Sequence, residues 1–92
     1  MNMAKRIRID ASRLTNREDM GNYMKQAFSL PDYFGRNLDA LKDCLEDVED
    51  EIDIVLDREC IRTMCEEPYA YKVLLVLGRA AESNPNLHIL FR

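Results

Sequence analysis

Tryptophan is missing from this sequence of 92 residues, and glycine, proline and cysteine each occur only three times. The three glycines are scattered at positions 21, 35 and 78, so no glycine-rich loop is available to cradle a phosphate group. An odd number of cysteines is typical of a reducing compartment rather than of a disulfide framework. The sequence therefore predicts a cytoplasmic protein that folds without disulfides.

Long apolar runs and clusters of basic residues are also missing. No apolar run approaches the roughly 18–20 residues that a membrane-spanning helix requires, and the first ten residues lack the apolar core of a secretory signal. The formal net charge of −4 argues against a nucleic acid or an anionic membrane as partner, because both require clustered Lys and Arg. The same charge permits a basic protein as partner.

Alternating apolar and polar residues predict strands, and apolar residues at helical spacing predict helices between them. Strands are expected at 5–11, 52–57 and 87–91. Helices are expected at 16–28 with a capping box at 15–18, after Asn37, at 58–65 and after Pro68. Helical crossovers between strands imply a parallel sheet. We therefore expect residues 1–92 to form a single, two-layer α/β domain with a three-stranded parallel sheet packed against helices.

The apolar run from Val73 to Leu77 fits either a strand or a helix. The length of the segment and the Ala-Ala-Glu that follows it favour a helix. The residues expected to face inward from this helix include Tyr71, Leu74, Leu75 and Ala81.

The stretch from Ser29 to Asp47 predicts a shaped loop that leads into a short helix. Pro31 fixes its own φ and favours an extended conformation at the preceding residue. Gly35 follows two aromatic residues and is the residue best able to adopt a positive φ. Asn37 is a good N-cap for the helix. The apolar stripe of this helix consists of Leu38, Leu41, Leu45 and Val48.

The opposite face of this helix is more acidic than folding requires. Asp39 gains from the helix dipole, whereas Asp43 and Glu46 lie too far along the helix to do so. Like-charge pairs of Asp43 with Asp39 and with Asp47 each cost roughly 0.2–0.5 kcal/mol, and Lys42 relieves only part of the repulsion. The simpler interpretation is a solvated acidic face. A self-repelling face beside two aromatic rings and a glycine turn instead indicates a surface for a cation or a basic partner.

The same stretch resembles the signature of the barstar family, small intracellular inhibitors of barnase-type ribonucleases. The match lies in Leu-Pro-Asp-Tyr-Phe-Gly at 30–35, Asn-Leu-Asp-Ala-Leu at 37–41 and Asp-Cys-Leu at 43–45. The resemblance implies that the loop and second helix form the binding surface of the three-stranded parallel fold. It also implies a protein without enzyme activity or cofactor that is monomeric when free. The implied partner is a basic ribonuclease of the extracellular type, bound 1:1.

In this family the loop and helix plug the active site of the ribonuclease. The resemblance implies that Asp43 takes the place of the substrate phosphate and that Asp39 is a supporting acid. Tyr33 matches an aromatic residue that packs against the enzyme, and Phe34 replaces a second tyrosine. The predicted partner-binding residues are Tyr33, Phe34, Gly35, Asn37, Asp39, Lys42, Asp43, Glu46 and Arg79.

Two of these positions depart from the family pattern. Lys42 stands where the family has a tryptophan, and Arg79 aligns with a glutamate that supplies a second acidic contact. Both changes make the surface less negative, so the target is either a different ribonuclease or another basic protein. The first alternative function is accordingly an interaction module with a partner that is not a ribonuclease.

The second alternative is a metal-dependent enzyme that uses the helix carboxylates as ligands or as acid and base. Three acids on one helix face rarely converge as an octahedral ion requires. Cys60 and Cys65 have no second pair to complete a zinc site, and His88 is the single histidine. No serine or cysteine has an evident histidine partner for nucleophilic catalysis. The sequence therefore predicts no metal site.

Overall fold

The computed structural model describes residues 4–92, in which strands alternate with helical crossovers. The strands are β1 Lys5–Arg8, β2 Ile52–Leu56 and β3 Leu87–Phe91. The α-helices are α1 Arg17–Ala27, α2 Leu38–Glu46, α3 Arg58–Glu66 and α4 Pro68–Ser83, and a short 3-10 helix spans Ala11–Arg13. Within residues 4–92, no helix is both long enough and apolar enough to cross a membrane.

The sheet has the order β1-β2-β3, with both outer strands parallel to the central one. Ile54 lies in the middle of β2, opposite Ile7 on one side and Ile89 on the other. The near-continuous apolar sequence of β2 is typical of a parallel strand, because such strands are covered by the helices of their crossovers. The predicted α/β fold with a three-stranded parallel sheet is confirmed.

The first strand and the first helix differ from the prediction at their ends. β1 stops at Arg8, because Asp10 accepts the Ser12 N–H at 3.1 Å and begins the 3-10 helix. Asn16 caps α1 by accepting the Asp19 N–H at 2.8 Å. The predicted capping box at 15–18 is therefore one residue too early.

The run from Val73 to Leu77 is helical, as predicted, but two of the residues expected to face inward do not. The side chains of Tyr71 and Leu75 are 47% and 45% exposed. A uniformly apolar run has no polar residues to mark the side that faces solvent, so its sequence does not identify the buried stripe. The fully buried residues of α4 are Ala70, Val73, Leu77 and Ala80.

One hydrophobic core joins the sheet, the helices and the segment that precedes α2. Leu41 and Leu45 on the inner face of α2 are fully buried in it, and α2 packs against α4. The opposite face of α2 is therefore turned away from the core. Both α2 and the segment before it are held by apolar contacts beneath them.

Candidate partner-binding surface

The segment between α1 and α2 begins with a Schellman motif at the end of α1. Ser29 has a φ of 52°, the left-handed conformation that glycine usually adopts at this position. The Leu30 N–H donates to the Lys25 carbonyl at 3.0 Å, and the Ser29 N–H donates to the Gln26 carbonyl at 3.4 Å. Leu30 is buried, so the residue after this turn anchors the chain in the core.

A second left-handed residue, Arg36 with a φ of 55°, lies directly before the cap of α2. Gly35 is the residue of this segment best able to adopt a positive φ but does not do so. Arg36 adopts that conformation instead, at a cost of roughly 1–3 kcal/mol. A Cβ atom at Gly35 would lie 3.4 Å from the Ala40 Cβ and 3.4 Å from the Asn37 Nδ2. A side chain at position 35 would therefore be in ordinary van der Waals contact with the first turn of α2. We call residues 30–36 the 30–36 loop.

The two aromatic rings of this loop have opposite environments. Phe34 is 5% exposed and belongs to the core, and its N–H donates to the Pro31 carbonyl at 3.0 Å. Tyr33 is 80% exposed, the largest exposure among the large hydrophobic side chains of residues 4–92. Phe34 therefore supports the loop from below, and Tyr33 is the ring that a partner can contact.

Asn37 begins α2 by accepting the Ala40 N–H on its side chain at 2.8 Å, which confirms the predicted N-cap. Beyond it, Asp39, Asp43 and Asp47 are all exposed and lie at helical spacing on the outer face. We call these three residues the acidic ridge. In the described part of the chain, no ion pair neutralises any of the three carboxylates.

Glu46 lies beside the acidic ridge but, unlike the ridge residues, is neutralised. The Lys42 ammonium donates to its Oε2 at 2.8 Å. This hydrogen bond lowers the pKa of Glu46, and the Ser83 hydroxyl on α4 lowers it further. The charge of Lys42 is therefore directed to Glu46 rather than to the ridge, and among residues 4–92 no cation pairs with Asp43.

Arg79 lies on α4, the helix that packs against α2. It lies four residues before Ser83, so both side chains share the side of α4 that meets Glu46 of α2. Arg79 is exposed and forms no ion pair within residues 4–92. Arg79 therefore places an exposed positive charge one helical turn from Ser83.

Asn84 is a buried polar residue in the Asn-Pro-Asn segment that joins α4 to β3. Its side-chain Nδ2 donates to the carbonyls of Leu45 and Val48, each at 2.9 Å, and its Oδ1 accepts the Asn86 N–H at 2.9 Å. Asn86 adds a donor to the Glu49 carbonyl at 3.1 Å. These bonds fix the C-terminal end of α2 to the α4–β3 connection. An Asn-Pro-Asn turn signals a bend, but the distant carbonyls that it satisfies cannot be read from the sequence.

We expect Asn84→Ala to lower the free energy of unfolding by roughly 2–3 kcal/mol, because it removes the hydrogen bonds of a buried amide to the Leu45 and Val48 carbonyls and from the Asn86 N–H. Urea denaturation followed by circular dichroism measures the change. Asn22→Ala, at an exposed position on α1, is the matched control and should not lower stability. Equal midpoints for the two variants would show that Asn84 does not hold α2.

The cysteine of the signature lies next to the surface and is not reactive. Cys44 lines a groove of about 290 Å³ together with Tyr33 and Asp47. Burial raises its pKa, and the negative charges of Asp47 and Asp43 raise it further. Burial also raises the pKa of Cys60 to about 11. Both groups therefore remain neutral thiols near pH 7, and neither is an activated nucleophile.

The described residues offer no metal centre, since no three His, Cys, Asp or Glu side chains among residues 4–92 come together to hold an ion. The residues of the acidic ridge follow one another along a helix and do not converge. What the arrangement offers chemically is an exposed aromatic ring and a row of unneutralised carboxylates on a rigid support. Such a surface suits a cationic cleft on another molecule.

Comparisons with known proteins agree with this geometry. The family model described as "Barstar (barnase inhibitor)" matches residues 4–91. A Bacillus subtilis (strain 168) protein named "Putative ribonuclease inhibitor YrdF" is 37% identical over 79 residues, which are 85% of this chain and 87% of that protein. The family match spans the sheet, the 30–36 loop and α2 together. The chain belongs to the barstar family.

Proposed function

We propose that residues 1–92 form one inhibitor domain that blocks the active site of a basic, secreted ribonuclease of the barnase type. The 30–36 loop and α2 enter the active site, and the acidic ridge meets the cationic residues that otherwise bind the phosphodiester of RNA. The observation that carries this proposal is Asp43, exposed at the middle of the ridge and free of ion pairs within residues 4–92. The family description and the name of the Bacillus relative support the same class of partner.

The electrostatics favour such a complex. In the free protein Asp43 lies between two like charges of the ridge, so a cationic pocket removes repulsion at the same time as it gains attraction. Tyr33 supplies exposed aromatic surface beside the charges, and buried aromatic residues carry much of the binding energy in protein interfaces. Asp39 and Asp47 extend the negative potential on both sides. The surface therefore combines an exposed aromatic ring, Tyr33, with a carboxylate, Asp43, that takes the place of a phosphate.

A ribonuclease inhibition assay tests this function directly. Barnase is titrated with the protein, and cleavage of a fluorogenic RNA oligonucleotide is measured together with binding by calorimetry. The expected result is a saturable loss of cleavage, with 1:1 binding, that requires a protein concentration above a weak Kd. Binding that leaves cleavage intact would contradict active-site occlusion.

We expect association with barnase to be strongly salt-dependent. Seven acidic residues lie between positions 43 and 53 and create a local field greater than the net charge indicates. The association rate should fall by roughly tenfold or more as salt rises, because screening shortens the range of the field to about 8–10 Å at physiological ionic strength. Stopped-flow fluorescence at several salt concentrations measures the rate. A rate constant independent of salt would contradict electrostatic capture.

A second candidate function is a protein-interaction module for a basic partner that is not a ribonuclease. The observation that favours it is that two cations, Lys42 and Arg79, stand where the family pattern has an aromatic and an acidic residue. Affinity capture from extract of the source cells, with Asp43→Ala as bait in parallel, separates the two functions. A captured protein without ribonuclease activity that is lost with Asp43→Ala would support the second function.

A further inference from the structure

Helix α1 contacts the 30–36 loop at several points although none of its residues belongs to the acidic ridge. The Arg17 Nε donates to the Arg36 carbonyl at 3.2 Å. The Lys25 Nζ lies 3.0 Å from the Asp32 carboxylate. Between these two contacts, Gly21 lies directly against Arg36: a Cβ atom at Gly21 would be 2.7 Å from the Arg36 Cβ and 3.0 Å from its Cγ.

The contact at Gly21 cannot be relieved by rotating a flexible side chain. The obstructing atom is the Arg36 Cβ, which is fixed to the backbone, so an added methyl group must displace the backbone of one segment. Arg36 is also the residue with a left-handed backbone at the end of the loop. The packing of α1 and the conformation of the loop are therefore coupled at this single contact.

Gly78 shows that a helix interior glycine in this fold does not by itself imply such a contact. A Cβ atom at Gly78 of α4 would meet nothing within 4 Å. Glycine in a helix interior is unfavourable relative to alanine. At position 21, glycine lowers the stability of the helix but permits a close approach that only glycine allows. At position 78, glycine has the same cost and permits no such approach.

We propose that Gly21 is a positioning residue for partner binding, through which α1 sets the 30–36 loop in the conformation that exposes Tyr33 beside the acidic ridge. A loop that is ordered before binding loses less conformational entropy when the complex forms. The buried anchors Leu30 and Phe34 hold the loop from below, and Gly21 with Arg36 fixes its end next to α2. The inference rests on the proposed function, because the exposed ring matters only when the loop meets a partner.

The first test measures the loop without any partner. Amide hydrogen exchange of Phe34, whose N–H donates within the loop, should be roughly tenfold faster or more in Gly21→Ala than in the wild type. Gly78→Ala is the matched control: it should leave this amide unchanged and raise Tm by roughly 2–8 °C. Equal exchange of the Phe34 amide in the two alanine variants would overturn the proposal.

The second test is a rescue by removal of the opposing atom. Arg36→Gly deletes the obstructing Cβ and adopts a φ of 55° without strain, so Gly21→Ala should have no effect on Phe34 exchange in that background. Arg36→Ala retains the Cβ, and Gly21→Ala should therefore still accelerate exchange there. The same effect of Gly21→Ala in both backgrounds would overturn the assignment of the contact.

The third test uses barnase as the probe. Gly21→Ala should raise the Kd for barnase about tenfold or more, with the change absent in the Arg36→Gly background and in Gly78→Ala. Faster Phe34 exchange with an unchanged Kd would overturn the link between loop order and binding. If the wild type does not bind barnase, the proposed function fails for this enzyme. The exchange measurements then still decide whether α1 sets the loop.

Discussion

Asp43→Ala is expected to weaken ribonuclease binding by about 2–5 kcal/mol, a loss typical of removing one partner from a buried charge pair. The reason is that the cationic pocket of the enzyme stays desolvated and loses its anion. The same change should leave Tm unchanged or slightly higher, since Asp43 repels Asp39 and Asp47 and lies beyond the favourable part of the helix dipole. Inhibition constants and melting curves of the same preparations measure both effects.

Glu66→Ala is the matched control for this experiment, because it removes one negative charge from an exposed position on α3. A general effect of net charge on association would weaken binding equally in both variants. A specific role of Asp43 requires a much larger loss for Asp43→Ala. If Asp43→Ala inhibits as well as the wild type, the family mechanism does not apply to this chain.

The sequence predicts the fold well because each helix and strand is indicated by residues that are near one another in the sequence. Alternation in the short strands and leucine spacing in α2 each depend on near neighbours, so β2, β3 and α2 match their predicted positions. The left-handed backbone at Ser29 and Arg36 is not predictable in the same way. Neither residue type favours a positive φ, and each adopts it next to tertiary contacts, the buried Leu30 after Ser29 and the close approach of Gly21 to Arg36.

Only part of the candidate partner-binding surface is predictable from the sequence. The acidic ridge and Tyr33 follow from spacing on a helix and from the loop signature. The burial of Phe34, the contacts of Asn84 with the end of α2 and the approach of Gly21 to Arg36 all join segments distant in sequence. Such contacts depend on tertiary packing, and the periodicity of the sequence does not predict them.

Lys42 and Arg79, the two cations among the predicted partner-binding residues, predict which ribonuclease the protein inhibits. Wild-type protein is expected to inhibit barnase weakly, because like charges placed opposite a basic active site cost binding energy and select against that partner. Lys42→Trp together with Arg79→Glu should then improve inhibition of barnase by about tenfold or more. The same pair of substitutions should weaken binding to the natural partner.

Lys42→Trp and Arg79→Glu are expected to improve inhibition of barnase for different structural reasons. Lys42 pairs with Glu46 at 2.8 Å, so Lys42→Trp removes a cation and also releases Glu46 to act with the acidic ridge. Arg79 forms no ion pair within residues 4–92, so Arg79→Glu reverses a charge without breaking an ion pair. Lys42→Met is the control that releases Glu46 without adding an aromatic ring. Inhibition of barnase by the single and double variants separates the contributions of the two positions, and melting curves of the same variants check that each is folded. Tight inhibition by the wild type would show that neither position selects the target.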